Sequence, residues 1–136
     1  MSARKLPAPQ PNPETQAFWD GLGEGALRIK TCEACDKAHY YPRHICPHCG
    51  SAETRWLDTR GEGEIYSLSV MRRGDGAPFA VAYVTLDEGP ALLTNLVADD
   101  LDALAIGQRV RLAPQARDAE AIGDGPSLPF FTPSGD

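Results

Sequence analysis

From Arg60 onward the chain reads as short extended segments in which apolar and polar positions alternate, punctuated by glycine. A period of two puts every other side chain on one face of a strand. EIYSLSVMRR is one long strand by this pattern, APFAVAYVTL a second and PALLTNLVA a third, with Asp87-Glu88-Gly89 as the hairpin turn between the last two. A brief helical turn is expected over Asp99 to Leu104. QRVRLAP is a fourth strand, with Val110 and Leu112 facing one way and Arg109 and Arg111 the other. The glycine- and acid-containing stretch from Gln115 to Gly125 reads as a loop, and LPFF before Thr132 as a fifth strand that closes the sheet.

The first half is patterned differently. Prolines at 7, 9, 11 and 13 alternate with small or polar residues, so Met1 to Pro13 is expected to be an extended arm. Asn12 stands as a helix N-cap with Pro13 at the first helical position, and PETQAFWDGL carries the helix until Gly23 and Gly25 end it. Phe18 and Leu22, four residues apart, share one face of this helix, whereas Trp19 lies about 100° around the axis. ALRIKT is a strand with Leu27 and Ile29 on one face. HYYPR would form an outer edge, where Pro42 is tolerated, and ETRWLDT returns as a third short strand with Trp56 as a core residue at the junction with the second half of the chain. The chain is therefore mainly β. The pattern divides it into an arm and N-terminal helix (1–25), a small ribbon (26–58) and a five-stranded barrel of the oligonucleotide/oligosaccharide-binding (OB) type (59–136).

The ribbon contains all four cysteines as two Cys-x-x-Cys pairs, Cys32/Cys35 and Cys46/Cys49, with ten residues between the pairs. Two intervening residues let one tight turn aim both sulfurs at a common point, and a second such turn opposite completes a tetrahedral thiolate set. This spacing points to a Zn2+ site, with iron in a tetrathiolate as the alternative. Structural disulfides would need an oxidising compartment, and a thioredoxin-type redox pair would be a single motif opening a helix. His39, His44 and His48 are alternative ligands by proximity, but four thiolates already fill the tetrahedron, so they read as spacer residues. With no open coordination position the metal is structural. Gly50 supplies the left-handed residue after the second pair, and Asp36 occupies the equivalent place after the first.

Composition narrows the function. The chain has 136 residues, 42% of them hydrophobic, which suits a small globular fold. Lys and Arg balance Asp and Glu at seven each through Asp58, whereas Thr59 to Asp136 has six against twelve, so the whole net charge of −6 belongs to the second half. Nucleic-acid binding needs a field of cations to displace counterions from phosphates, and this balance opposes it. No apolar run is long enough for a membrane span and no secretory leader is evident, so a cytoplasmic location is expected. The nucleophile elbow Gly-x-Ser-x-Gly is absent, as are cysteines beyond the metal set and histidines after His48. The acid pairs Glu62/Glu64 and Asp99/Asp100 read as a solvated strand edge and a helix start.

The ordered run FWDGLGEGALRIKTCEAC, YYPRHICPHCGS, Trp56 with RGEGEIYSLSVMRR, and APFAVAYVTLDEGPALLTNLV resembles the DUF35 family, in which a rubredoxin-like zinc ribbon precedes an OB-fold. The likeness runs from about Phe18 to Pro133. Asp36 departs from the glycine common at that place, and the acidic loop at Gln115 to Gly125 is longer than usual. The resemblance implies a non-catalytic accessory subunit bound to a thiolase-fold enzyme that acts on acyl-CoA. Within that expectation Phe18 and Trp19 are candidate docking anchors, and Arg72 with Arg73 are candidates to meet CoA phosphates. The competing expectation is a single-stranded nucleic-acid module, for which Tyr66, Phe79 and Tyr83 supply aromatics that half-buried barrel positions explain equally well.

Overall fold

The computed structural model describes residues 9–72, 74, 76–114 and 128–134. The arm before residue 9, Arg73 and the stretch from Gln115 to Gly125 lie outside the described residues.

Helix α1 spans Gln16–Gly23, three residues later than the sequence pattern places it, and its N-cap is Thr15. Asn12 and Pro13 instead open a separate turn. The Thr15 N–H donates to both the carbonyl and Oδ1 of Asn12 (3.0 and 3.1 Å), and the Asn12 N–H donates to Thr15 Oγ1 (3.2 Å). Asn and Pro at successive turn positions favour this local closure over continuing a helix. The C-terminus does follow the glycines. Gly25 takes φ of 84°, the Ala26 N–H reaches the Gly21 carbonyl (2.8 Å) and the Gly25 N–H that of Leu22 (3.1 Å), which is the paired closure of a Schellman motif.

Strands β1 (Arg28–Cys32), β2 (Ala38–His39) and β3 (Thr54–Asp58) form a three-stranded antiparallel sheet in the order β2-β1-β3. The expected HYYPR edge shrinks to Ala38–His39. Tyr40 and Tyr41 turn away from the ladder to pack around the Phe18 ring, at 5.8 and 5.3 Å between centroids, so aromatic burial overrides strand pairing there.

The remaining strands, β4 (Glu62–Met71), β5 (Phe79–Leu86), β6 (Ala91–Leu96), β7 (Arg109–Leu112) and β8 (Phe131–Pro133), close a barrel in the order β4-β5-β6-β8-β7. A 3-10 turn at Leu101–Ala103 sits between the third and fourth barrel strands. Parallel pairing of Leu96 with Phe131 makes the closure, and β7 pairs antiparallel with both β8 and β4. Strand β4 is long enough to serve two neighbours because it bends at a bulge between Ile65 and Ser67. Close approach at Gly63 helps: a Cβ there would lie 2.5 Å from the Thr85 carbonyl oxygen.

Phe18, Leu22, Leu27 and Ile29 join Ile65, Val84, Leu92, Val110 and Phe131 in one buried cluster, against which Trp56 and Leu57 pack part-buried. Helix, ribbon and barrel therefore share a core. Thr59 ties the junction, its N–H and Oγ1 both donating to the Leu27 carbonyl (3.0 and 2.8 Å). Among the described residues no helix is long and apolar enough to cross a membrane.

Candidate metal centre and barrel surface

The two Cys-x-x-Cys turns are near copies of each other. In the first, the Asp36 N–H donates to the Cys32 carbonyl (2.8 Å), the Ala34 N–H to Cys32 Sγ (3.3 Å) and the Cys32 N–H to the Lys37 carbonyl (3.0 Å). In the second, Gly50 N–H reaches the Cys46 carbonyl (2.9 Å), His48 N–H reaches Cys46 Sγ (3.3 Å) and Cys46 N–H reaches the Ser51 carbonyl (2.8 Å). Each turn needs a left-handed residue to close, and Asp36 at φ 61° and Gly50 at φ 81° supply it.

The turns face each other so that all four sulfurs lie within 4.8 Å of one another. Cys32 and Cys49 sulfurs are 3.6 Å apart and those of Cys35 and Cys46 are 3.8 Å apart. Zinc–sulfur bonds of about 2.3 Å give a tetrahedron with edges of about 3.8 Å. A disulfide would need about 2.05 Å. The spacing is that of a tetrathiolate metal site.

Electrostatics support the same assignment. Burial pushes the Cys46 thiol up, but the backbone N–H groups of Cys49 and His48 and the sulfurs of Cys35 and Cys32 outweigh it and bring the group down to about 6. For Cys49 the Ser51 backbone favours the thiolate, yet burial and the three other sulfurs push it up to about 12. One thiolate forms easily and the cluster then resists further charge. A divalent cation removes that conflict by compensating all four thiolates together. The histidines stand apart from the sulfur cluster: His48 Nε2 lies 3.2 Å from the Ala38 carbonyl, the His44 backbone N–H donates to Glu14 (2.7 Å), and His39 is buried in β2.

A second feature lies on the outside of the barrel. Ser67, Tyr83 and Leu93 are direct cross-strand partners on β4, β5 and β6, and line a shallow groove of about 190 Å³ with Ser69 and Val81. Tyr83 is 47% exposed and Leu93 55% exposed. Tyr66, at the bulge, is 69% exposed, and Ile106 is equally exposed in the turn whose Gly107 N–H donates to the Ile65 carbonyl (2.8 Å). Glu62 and Glu64 are the only charged residues of these three strands, and both precede the bulge. Tyr66 is thus solvent-facing, whereas Tyr83 is about half-buried, as its barrel position suggests. Leu93 and Ile106 escape sequence reasoning because alternation does not say which face a lone apolar residue takes.

Comparison with known proteins agrees with both halves. The family described as ChsH2, rubredoxin-like zinc ribbon domain matches residues 19–55, and ChsH2, C-terminal OB-fold domain matches residues 56–115. A solved chain from the "Ltp2-ChsH2(DUF35) aldolase" superposes with a TM-score of 0.75 at 32% identity, covering 92% of this chain and 98% of that one. The chain belongs to the DUF35 family. A "DUF35 domain-containing scaffold protein" of Methanothermobacter thermautotrophicus is 33% identical over 60% of this chain and 65% of its own length. A "Probable enoyl-CoA hydratase alpha subunit" of Thermomonospora curvata is 33% identical over 98% of this chain, which spans only 43% of that protein. Within the DUF35 ribbon, the four cysteines are a structural zinc centre.

The other candidate residues of this DUF35 chain are placed unequally. Phe18 is fully buried beneath Trp19, Tyr40 and Tyr41 and has no surface to offer a partner, because the shared core needs its ring more than the helix exterior does. Trp19 packs edge-on against it at 4.8 Å, is only partly buried, and borders a surface groove with Pro11, Gln16 and Asp20. The Trp19 Nε1 atom is enclosed and has no hydrogen-bond partner among the described residues. Arg72 is exposed and ion-paired with Asp102.

Proposed function

We propose that this chain is a non-catalytic accessory subunit of a thiolase-like acyl-CoA enzyme complex performing acyl transfer, condensation or aldol cleavage. The zinc ribbon is scaffold, and the barrel carries the surface that meets the thiolase-fold partner. The observation that carries this reading is the uncharged band of Tyr66, Tyr83, Leu93 and Ile106 on a chain whose net charge is −6. Large apolar groups left together on a solvent face, with charge kept off the strands between them, have the composition of an interface core. The names of the relatives support it, since one is a scaffold protein, one a hydratase subunit and one part of an aldolase assembly. Trp19 would extend the contact, and Arg72 with Arg73 would face CoA phosphates at its margin once Asp102 is displaced.

The same tyrosines suit base stacking, but single strands also need a basic groove, and β4, β5 and β6 contain no lysine or arginine. The test is co-expression with the thiolase-fold enzyme from the same source. Tyr83→Arg should abolish copurification while zinc content and melting temperature stay near wild type. If Tyr83→Arg copurifies normally and the chain binds single-stranded RNA or DNA in a salt-dependent titration, the band belongs to nucleic acid instead.

A further inference from the structure

Lys30 is buried, with 6% of its surface exposed, in the middle of β1. Among the described residues its ammonium forms no ion pair with any carboxylate. Its contacts are the Thr54 hydroxyl, at 3.4 Å, and the face of the Trp56 ring, with Nζ 4.6 Å from the centroid. Directly opposite on β2 is His39, which is also buried and has neither ring nitrogen hydrogen-bonded among the described residues. A hydroxyl and an aromatic face compensate only part of the cost of taking an ammonium out of water. A buried cation of this kind calls for a nearby anion.

The sheet register identifies one. Residues two apart on a strand share a face, so Lys30 and Cys32 point the same way, and the partners opposite them on β3 are Trp56 and Thr54. The Thr54 hydroxyl that accepts from Lys30 donates in turn to the His44 carbonyl (3.1 Å), two residues before Cys46. Lys30 therefore shares a strand face with Cys32 and is linked through Thr54 to the segment that leads into Cys46; these are the two ligands with only 1% of their surface exposed. A divalent ion held by four thiolates leaves about two negative charges there. Lys37 and Arg43, the other cations of the ribbon loop, are exposed and screened by water.

We propose that Lys30 is the internal counter-ion of the zinc tetrathiolate, a positioning residue that holds electron density on the buried sulfurs in check and so retains the metal. Residues behind a first ligand shell typically alter metal affinity about 10–100-fold. Lys30→Met keeps the length and apolar stem and removes the charge, whereas Lys30→Arg keeps the charge.

The experiment uses the full chain loaded with zinc and, separately, with Co2+ as a spectroscopic substitute. In competition with a chromophoric chelator, Lys30→Met should hold zinc about tenfold or more less tightly than wild type. In the cobalt form its sulfur-to-metal charge-transfer band should move to lower energy, because sulfurs without a neighbouring cation give up an electron more easily. Lys30→Arg should keep both close to wild type. A charge that is merely tolerated predicts the opposite, since replacing a buried unpaired ion by an apolar chain is commonly neutral or stabilising. Zinc affinity within twofold of wild type and an unmoved band in Lys30→Met would overturn the proposal. If Lys30→Met does not fold, Lys30→Gln, which keeps a donor without the charge, carries the same two measurements.

Discussion

Replacing Cys46 by Ser removes one of the two buried ligands and leaves a hydroxyl that binds zinc far less well. Structural zinc contributes on the order of 10–16 kcal/mol of apparent folding free energy, so one ligand of four accounts for about 2.5–4 kcal/mol. That corresponds to roughly two to three orders of magnitude in affinity. The damage should be local at first. The second knuckle is held by the Gly50 bond to the Cys46 carbonyl and the Cys46 bond to Ser51, and the residues between Cys46 and Ser51 are all exposed, so little else holds that turn once the metal is gone. The barrel ladders from β4 to β8 do not involve the metal. Elemental analysis of wild type should give about one zinc per chain, and Cys46→Ser should lose it after dialysis against a mild chelator. Amide resonances from residues 32–51 should then collapse while those of Ile65, Val84 and Leu92 remain dispersed. Unchanged zinc stoichiometry in Cys46→Ser would refute the four-thiolate site, and loss of the barrel resonances with the metal would refute its independence.

Three further outcomes are expected. Phe18→Ala should cost about 3–5 kcal/mol in chemical denaturation because it empties the shared core, whereas Trp19→Ala should change stability less and weaken association with the proposed thiolase-fold partner by about 2 kcal/mol, roughly thirtyfold in a pull-down titration; a strongly destabilised Trp19→Ala with intact association would reverse the assignment. Arg72→Ala should raise the apparent KM for acyl-CoA in the assembled complex without disturbing assembly, and an unaltered KM would leave Arg72 simply as the partner of Asp102. Asp87 receives both guanidinium N–H groups of Arg109 (2.9 and 2.8 Å), a bond that holds its carboxyl below the usual range against a smaller opposing effect of burial. Its contribution to stability is present above the unfolded carboxylate value of about 3.9 and is lost as pH falls through the lower folded value. Asp87→Asn should therefore melt slightly below wild type at pH 7 and together with it at the acid end; a gap that persists there would assign the effect to packing.

The metal ligands are legible in the sequence because their chemistry is local: two residues between cysteines oblige one turn to aim both sulfurs, whatever surrounds it. Asp36 and Gly50 are legible for the same reason, as turns that need positive φ. Barrel strands can be read from alternation, and even the helical turn before β7 is visible in its acidic start, where the Asp100 side chain accepts from the Asp102 N–H. Helix α1 begins later than its pattern suggests because Asn12-Pro13 suits a turn as well as a cap, and only the reciprocal bonds between Asn12 and Thr15 decide between them. The HYYPR edge does not form in full because Tyr40 and Tyr41 have the Phe18 ring to cover, a demand set by an element more than twenty residues away in sequence.

What the sequence determined by itself was therefore the set of short-range rules: the thiolate quartet, the order of strands, the net negative charge confined to the second half. Tertiary structure decided which side met the core and which met water where alternation left the choice open. It buried Phe18 and left Trp19 at a surface groove, turned Tyr66, Tyr83 and Leu93 outward, and enclosed Lys30 on the strand face that it shares with Cys32. Those outcomes depend on register between segments far apart in the chain. A shift of one residue in a ladder would exchange the two faces, and no local propensity carries that information.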